Sequence, residues 1–138
     1  MKHSQVREPL AKVRGLGSAK DGTQHFIWQR ITAIVLIPLT FWFIRSLLMI
    51  SIGGGEQAFV AAWLSSGFSA TLLIIMLVAL FYHAKLGMQV IIEDYVHSPF
   101  PKYTALLLNM VLMYGFAAIS IMAVLKLHLY VAPEMGTQ

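Results

Sequence analysis

The stretch HAKLGMQVIIEDY, from His83 to Tyr95, sets one histidine inside an apolar run and an Asp-Tyr pair where that run ends. A full charge at the centre of a bilayer costs between a few and roughly 15 kcal/mol. A neutral imidazole costs less, but burying it without a partner is still unfavourable. His83 is therefore expected to hold something, and a metal centre in the membrane is the leading candidate. On a 3.6-residue helix His83 shares a face with Met76, Gly87, Val90 and Asp94. The step from His83 to Asp94 is close to three full turns and about 16 Å of rise. With Asp94 at a membrane interface, His83 falls near mid-bilayer. Gly87, one turn on, leaves the helix surface open for a flat macrocycle beside the ring.

Several chemistries compete for such a histidine. It could hydrogen-bond across helices, or relay protons as intramembrane groups do in pumps. Zinc wants four donors, and this depth offers one. Haem iron needs only one or two axial ligands, and neutral imidazole is a usual one. Ligation by two histidines would set the second imidazole nitrogen about 4 Å from the first, across the metal. His25 and His97 fall on one side of the membrane and His128 on the other. His97 would lie about 21 Å from His83 along a continued helix. A second ligand must then come from another chain, in a hetero-oligomer or a symmetric dimer.

The elements that position His83 follow from composition. Of 138 residues, 58% are hydrophobic and 12% charged, against about a quarter charged in a typical soluble domain. Three apolar stretches approach the ~20 residues that cross a bilayer. They run from Phe26 to Ile52, Phe68 to Ile92 and Tyr103 to Val131. The fold expected is all-α, with three transmembrane helices inside a larger hetero-oligomeric bundle. A basic arm (1–25) precedes the spans and a short outer tail (132–138) follows them. Lys2, Arg7, Lys12, Arg14 and Lys20 crowd the arm, whereas Ser51 to Ser66 holds no Lys or Arg. By the positive-inside rule the N-terminus faces inward, the Glu93–Lys102 loop is also inside, and the C-terminus is outside. The arm has no apolar core or cleavage site of a secretory signal. No cysteine is present, which excludes disulfides, thiolate metal sites and cysteine nucleophiles.

Local signals refine the spans. Asp21 or Thr23 is a candidate cap for the first helix, and Pro38 a candidate kink within it. Gly53-Gly54-Gly55 ends that helix, and Gln57 to Leu64 reads as a short interfacial piece on the outer side. The second helix is expected to follow without a strong break. Ser98-Pro99-Phe100-Pro101 reads as a tight connection that no helix can continue through. Lys85 is the awkward residue: it points away from His83 and calls for a carboxylate or carbonyl from a partner. Arg45 can reach the outer interface.

The motif resembles the second helix of the small hydrophobic anchor subunit of succinate dehydrogenase, respiratory complex II. That pattern has a haem-ligating His, a Gly four residues later, and Asp-Tyr eleven and twelve residues after the His. Here these are His83, Gly87, Asp94 and Tyr95. The segment GSAKDGTQHFIWQRITAI, Gly17 to Ile34, is similar to the same subunit's entry into its first helix, with Arg followed by Thr-Ala. The IIEDY form is most similar to alphaproteobacterial and mitochondrial-type versions. The resemblance implies that His83 is one axial ligand of haem b, the other coming from the larger cytochrome b anchor subunit. It implies that Tyr95 donates a hydrogen bond to ubiquinone, with Asp94 beside that site. It also implies that Arg30 lies near the haem propionates, which suits a guanidinium. Read from the residues alone, Tyr95 is an interfacial aromatic, Asp94 a helix-end group and Arg30 a snorkelling cation.

The implied role is a membrane anchor of succinate:ubiquinone oxidoreductase, not catalytic by itself. FAD and the iron–sulfur clusters would reside on the flavoprotein and iron–sulfur partner subunits, since nothing in this chain suits either. The alternatives are a fumarate reductase anchor, a stand-alone b-type cytochrome, and a cofactor-free assembly or transport subunit. The short basic arm favours a bacterial cytoplasmic membrane over the mitochondrial inner membrane.

Overall fold

A computed structural model describes residues 19–53 and 57–135. Four helices make it up: α1 (Ala19–Ile52), α2 (Gln57–Ser65), α3 (Gly67–Tyr95) and α4 (Pro99–Met135). No strand occurs among the described residues. The basic arm lies outside them, apart from Ala19 onward. Three helices, α1, α3 and α4, are long and apolar enough to cross a membrane. At 34, 29 and 37 residues they rise about 51, 44 and 56 Å, more than the ~30 Å hydrocarbon core. Their ends must therefore extend beyond the hydrocarbon core; Glu93 and Asp94 lie at one such end, in the last turn of α3.

The helix limits differ from expectation in three places, each for a local reason. Helix α1 already runs at Ala19, so Asp21 and Thr23 lie inside it rather than at its N-cap position. It continues as one element through Pro38. A break does separate α2 from α3, because Ser66 is extended (φ −67°, ψ 114°). Pro99 and Pro101 do not block a helix but open α4, since first-turn residues need no intrahelical N–H. The turn between α3 and α4 is closed by Val96 N–H donating to the Ile92 carbonyl (3.0 Å). The Lys102 ammonium donates to the Glu93 carbonyl (3.0 Å).

Helix α3 is the spine. It packs against α1 on one side and α4 on the other, while α1 and α4 share no extended contact. Small and polar residues line these seams: Thr32, Ser69, Ala70, Ala79 and Asn109 are among the few buried side chains. Small groups let helices approach closely where lipid supplies no hydrophobic drive. Most large apolar side chains of α1 and α4 remain exposed, so lipid or other helices must cover them. Short α2 is held from both sides. Trp63 stacks on Trp42 (5.7 Å between centroids), and His128 Nδ1 lies 2.8 Å from the Leu64 carbonyl.

Candidate functional site

His83 sits where α3 faces α1, and its nearest polar partner comes from α1. Thr32 Oγ1 lies 2.9 Å from His83 Nδ1. The same hydroxyl lies 2.8 Å from the Trp28 carbonyl and 3.0 Å from the Gln29 carbonyl of its own helix. A hydroxyl has one proton and two lone pairs. With the proton given to those carbonyls, the oxygen accepts Nδ1–H from His83. The neutral ring then carries its lone pair on Nε2. Thr32 is only 7% exposed, so water competes little for this bond. One turn of α1 earlier, the Trp28 ring meets Tyr82, the residue before His83, edge-on at 6.2 Å.

His83 also borders an apolar groove of about 380 Å³, lined by Ala33, Leu36, Ile37, Thr40, Phe41 and Ile44 of α1. Arg30 shares the α1 stripe that floors this groove. Arg30, Ala33, Ile37, Phe41 and Ile44 follow one another at spacings of three and four. By helix rise, Arg30 lies about 3 Å from Thr32 toward the end that carries Tyr95. Its guanidinium stacks over the Phe26 ring at 4.5 Å. It meets no carboxylate among the described residues. A donor nitrogen, a flat apolar wall and a cation at one end suit a haem with its propionates. Among the described residues no three His, Asp or Glu groups converge as a closed metal-ion cage would require.

Gly87 serves differently from the sequence expectation. A Cβ built there would stand 3.3 Å from Gln29 Nε2. The missing side chain admits Gln29 of α1, and the space beside Gly87 is filled by that amide rather than left open for a macrocycle. Gln29 also lines a second, more polar pocket of about 580 Å³ at the Tyr95 end of the α1–α3 seam. His25, Gln89 and Glu93 contribute there, with Gln89 Nε2 donating to Glu93 Oε1 (2.8 Å). Gln29 Oε1 is buried and without a partner.

Asp94 and Tyr95 stand at the far end of α3, and Tyr95 is 79% exposed. By helix rise Tyr95 is about 18 Å from His83 along α3, too far for the two side chains to share one site within this chain. Lys85 turns to the opposite seam. Its ammonium lies 5.8 Å from the Tyr82 ring centre and 5.4 Å from that of Tyr114 on α4. Its backbone carbonyl accepts Asn109 Nδ2–H (3.0 Å). Within this chain the ammonium thus meets two aromatic faces; the carboxylate or carbonyl expected for it would belong to a partner subunit. Arg45 is exposed, as a residue reaching for an interface would be.

A sequence profile described as succinate dehydrogenase/fumarate reductase transmembrane subunit matches residues 4–124. The chain belongs to that family. It is 36% identical over 91 residues to the succinate dehydrogenase hydrophobic membrane anchor subunit of Rickettsia bellii, covering 65% of this chain and 70% of that protein. The same subunit of Rickettsia conorii is 36% identical over 88 residues, covering 63% and 68%. The succinate dehydrogenase membrane anchor subunit of Reclinomonas americana is 36% identical over 81 residues, covering 57% and 67%. No solved structure matches the chain. The family assignment makes this a multi-pass membrane anchor of succinate dehydrogenase. Two residues of the site had no role read from sequence, Thr32 and Gln29. The only hint was the Thr of the Arg-x-Thr-Ala signature in the family's first helix.

Proposed function

We propose that this anchor subunit co-ligates haem b through His83 and contributes Tyr95 and Asp94 to the site where ubiquinone is reduced to ubiquinol. The observation that carries the haem half is the Thr32–His83 bond, which engages Nδ1 of a ring that also borders an apolar groove. Bound there, a haem supplies a one-electron store between electron donor and quinone. His83 would hold the iron from one side. Arg30, on the stripe that floors the groove, would neutralise the propionates. The second imidazole ligand would come from the larger anchor subunit, because no other histidine among the described residues lies level with His83 along the helices.

The quinone half rests on family resemblance and on exposure. Tyr95 presents a phenol, a hydrogen-bond donor, to a surface that other subunits would complete. Its role would be to orient the quinone carbonyl and stabilise charge developing on that oxygen. Asp94 beside it would orient the phenol or pass protons inward. Two electrons from the iron–sulfur subunit and two protons from the inner aqueous phase complete ubiquinol. FAD and succinate oxidation would belong to the flavoprotein subunit. The Lys/Arg bias supports a Tyr95 end that faces the cytoplasm, and the Rickettsia relatives support a bacterial cytoplasmic membrane.

A reduced-minus-oxidised spectrum of the purified complex tests the haem assignment. His83→Ala is expected to abolish this subunit's b-type absorption; an unchanged spectrum removes the assignment. Tyr95→Phe is expected to keep the haem and to slow quinone reduction about tenfold, the worth of one well-placed hydrogen bond. Unaltered quinone kinetics would take Tyr95 out of the site. A second reading draws on the same bond: His83 as an interhelical hydrogen bonder and nothing more. It requires that the wild-type complex show no b-type band that His83 controls.

A further inference from the structure

We propose that Thr32 is the positioning residue of His83, selecting the imidazole tautomer that ligates iron and holding the reduction potential of that iron down. The inference rests on the haem reading above and deepens it.

Three features of Thr32 carry it. The hydroxyl has its own helix carbonyls, of Trp28 and Gln29, at 2.8 and 3.0 Å, so its proton has a standing acceptor. Its oxygen therefore meets His83 Nδ1 as an acceptor, at 2.9 Å. The bond is also shielded, since Thr32 is 7% exposed and Ile31, Val35 and Ala79 line the space beside it. A neutral histidine carries one ring proton, and whichever nitrogen donates it cannot ligate. Thr32 thus places the proton on Nδ1 and leaves Nε2 for iron. Without the hydroxyl, neither tautomer is selected and the ring is free to turn about its χ2 angle.

The electronic consequence follows from the direction of the bond. An acceptor at Nδ1–H draws the proton away from the ring and makes the imidazole a stronger base. A more basic axial ligand favours the oxidised, more positively charged iron. The reduction potential is therefore lower with Thr32 than without it; hydrogen bonding to a ligand is a recognised lever on haem potential. Because Thr32 is on α1 and His83 on α3, the tuning also depends on the packing of those two helices. Gln29 against Gly87 and Trp28 against Tyr82 hold that packing on the flanking turns.

Three variants of the intact complex test the proposal, with haem content measured first and the b-type band then titrated anaerobically. Thr32→Val keeps shape and removes the hydroxyl; Thr32→Ser keeps the hydroxyl and removes a methyl. Thr32→Ala supplies a second hydroxyl-free variant should valine prevent assembly. The expected result is a higher midpoint potential in Thr32→Val and Thr32→Ala, and a wild-type potential in Thr32→Ser. A haem-loaded hydroxyl-free variant titrating at the wild-type potential overturns the proposal. So does a serine variant shifted as far as valine or alanine, because packing would then be the cause. A b-type band that survives His83→Ala would instead remove the haem reading beneath it, a failure separate from either of these.

Discussion

The two seams that flank α3 are built from similar materials and put them to different ends. In the α3–α4 seam, Asn109 donates to the Lys85 carbonyl and the Lys85 ammonium lies between Tyr82 and Tyr114. Those contacts use backbone and aromatic faces, and they hold one helix to another. In the α1–α3 seam the central bond runs side chain to side chain, Thr32 to His83, and the same ring borders an open groove. A seam that only fastens helices can close over its polar groups. A seam that presents a ligand must tie one nitrogen and leave the other at the edge. Their energies need not differ: interhelical hydrogen bonds in membranes average about 0.6 kcal/mol and reach about 1.7. Their difference lies in what each leaves unpaired.

Substitutions can break or sharpen that contrast. The largest effect is expected from Gly87→Leu. A side chain there drives into Gln29, and overpacking costs about 1–3 kcal/mol. The thermal midpoint of the complex should fall, and His83 should lose the α1 partner that orients it, with haem content falling alongside. Full haem retention would show that the α1–α3 packing does not control the ligand. Next comes Asn109→Leu, which removes the bond to the Lys85 carbonyl but also relieves the buried, unpaired Asn109 Oδ1. The net loss should stay below about 1.7 kcal/mol, seen as a modest drop in midpoint with an unaltered b-type spectrum. A lost haem band would erase the division between the seams. The smallest effect is expected for Lys85→Met, where a cation–π contribution of about 0.5–1 kcal/mol is lost and the cost of a membrane-embedded charge is lost with it. Thermal denaturation of this variant should be close to wild type. A large destabilisation would mean that Lys85 meets an anionic group of another subunit.

These contrasts also show where sequence reasoning stops. The register of His83, Gly87, Asp94 and Tyr95 is visible along one helix, because the 3.6-residue repeat is local. Gly87 was recognisable as a place where something approaches α3; that the something is Gln29 was not. Lys85 was recognisable as needing a partner, and its rings come from its own helix and from one 29 residues on. The prolines at 99 and 101 looked like a barrier from sequence, yet a helix start tolerates both.

By itself, the sequence determined three apolar spans, the position of one histidine within the second, and family membership, since each depends on composition or on spacing along a single segment. Only the tertiary structure decided that Thr32, 51 residues away, is the group that faces His83 Nδ1. That pairing depends on the rotation and axial offset of α1 against α3. Both are set by small-residue packing and interhelical hydrogen bonds, which leave no periodic trace in either helix.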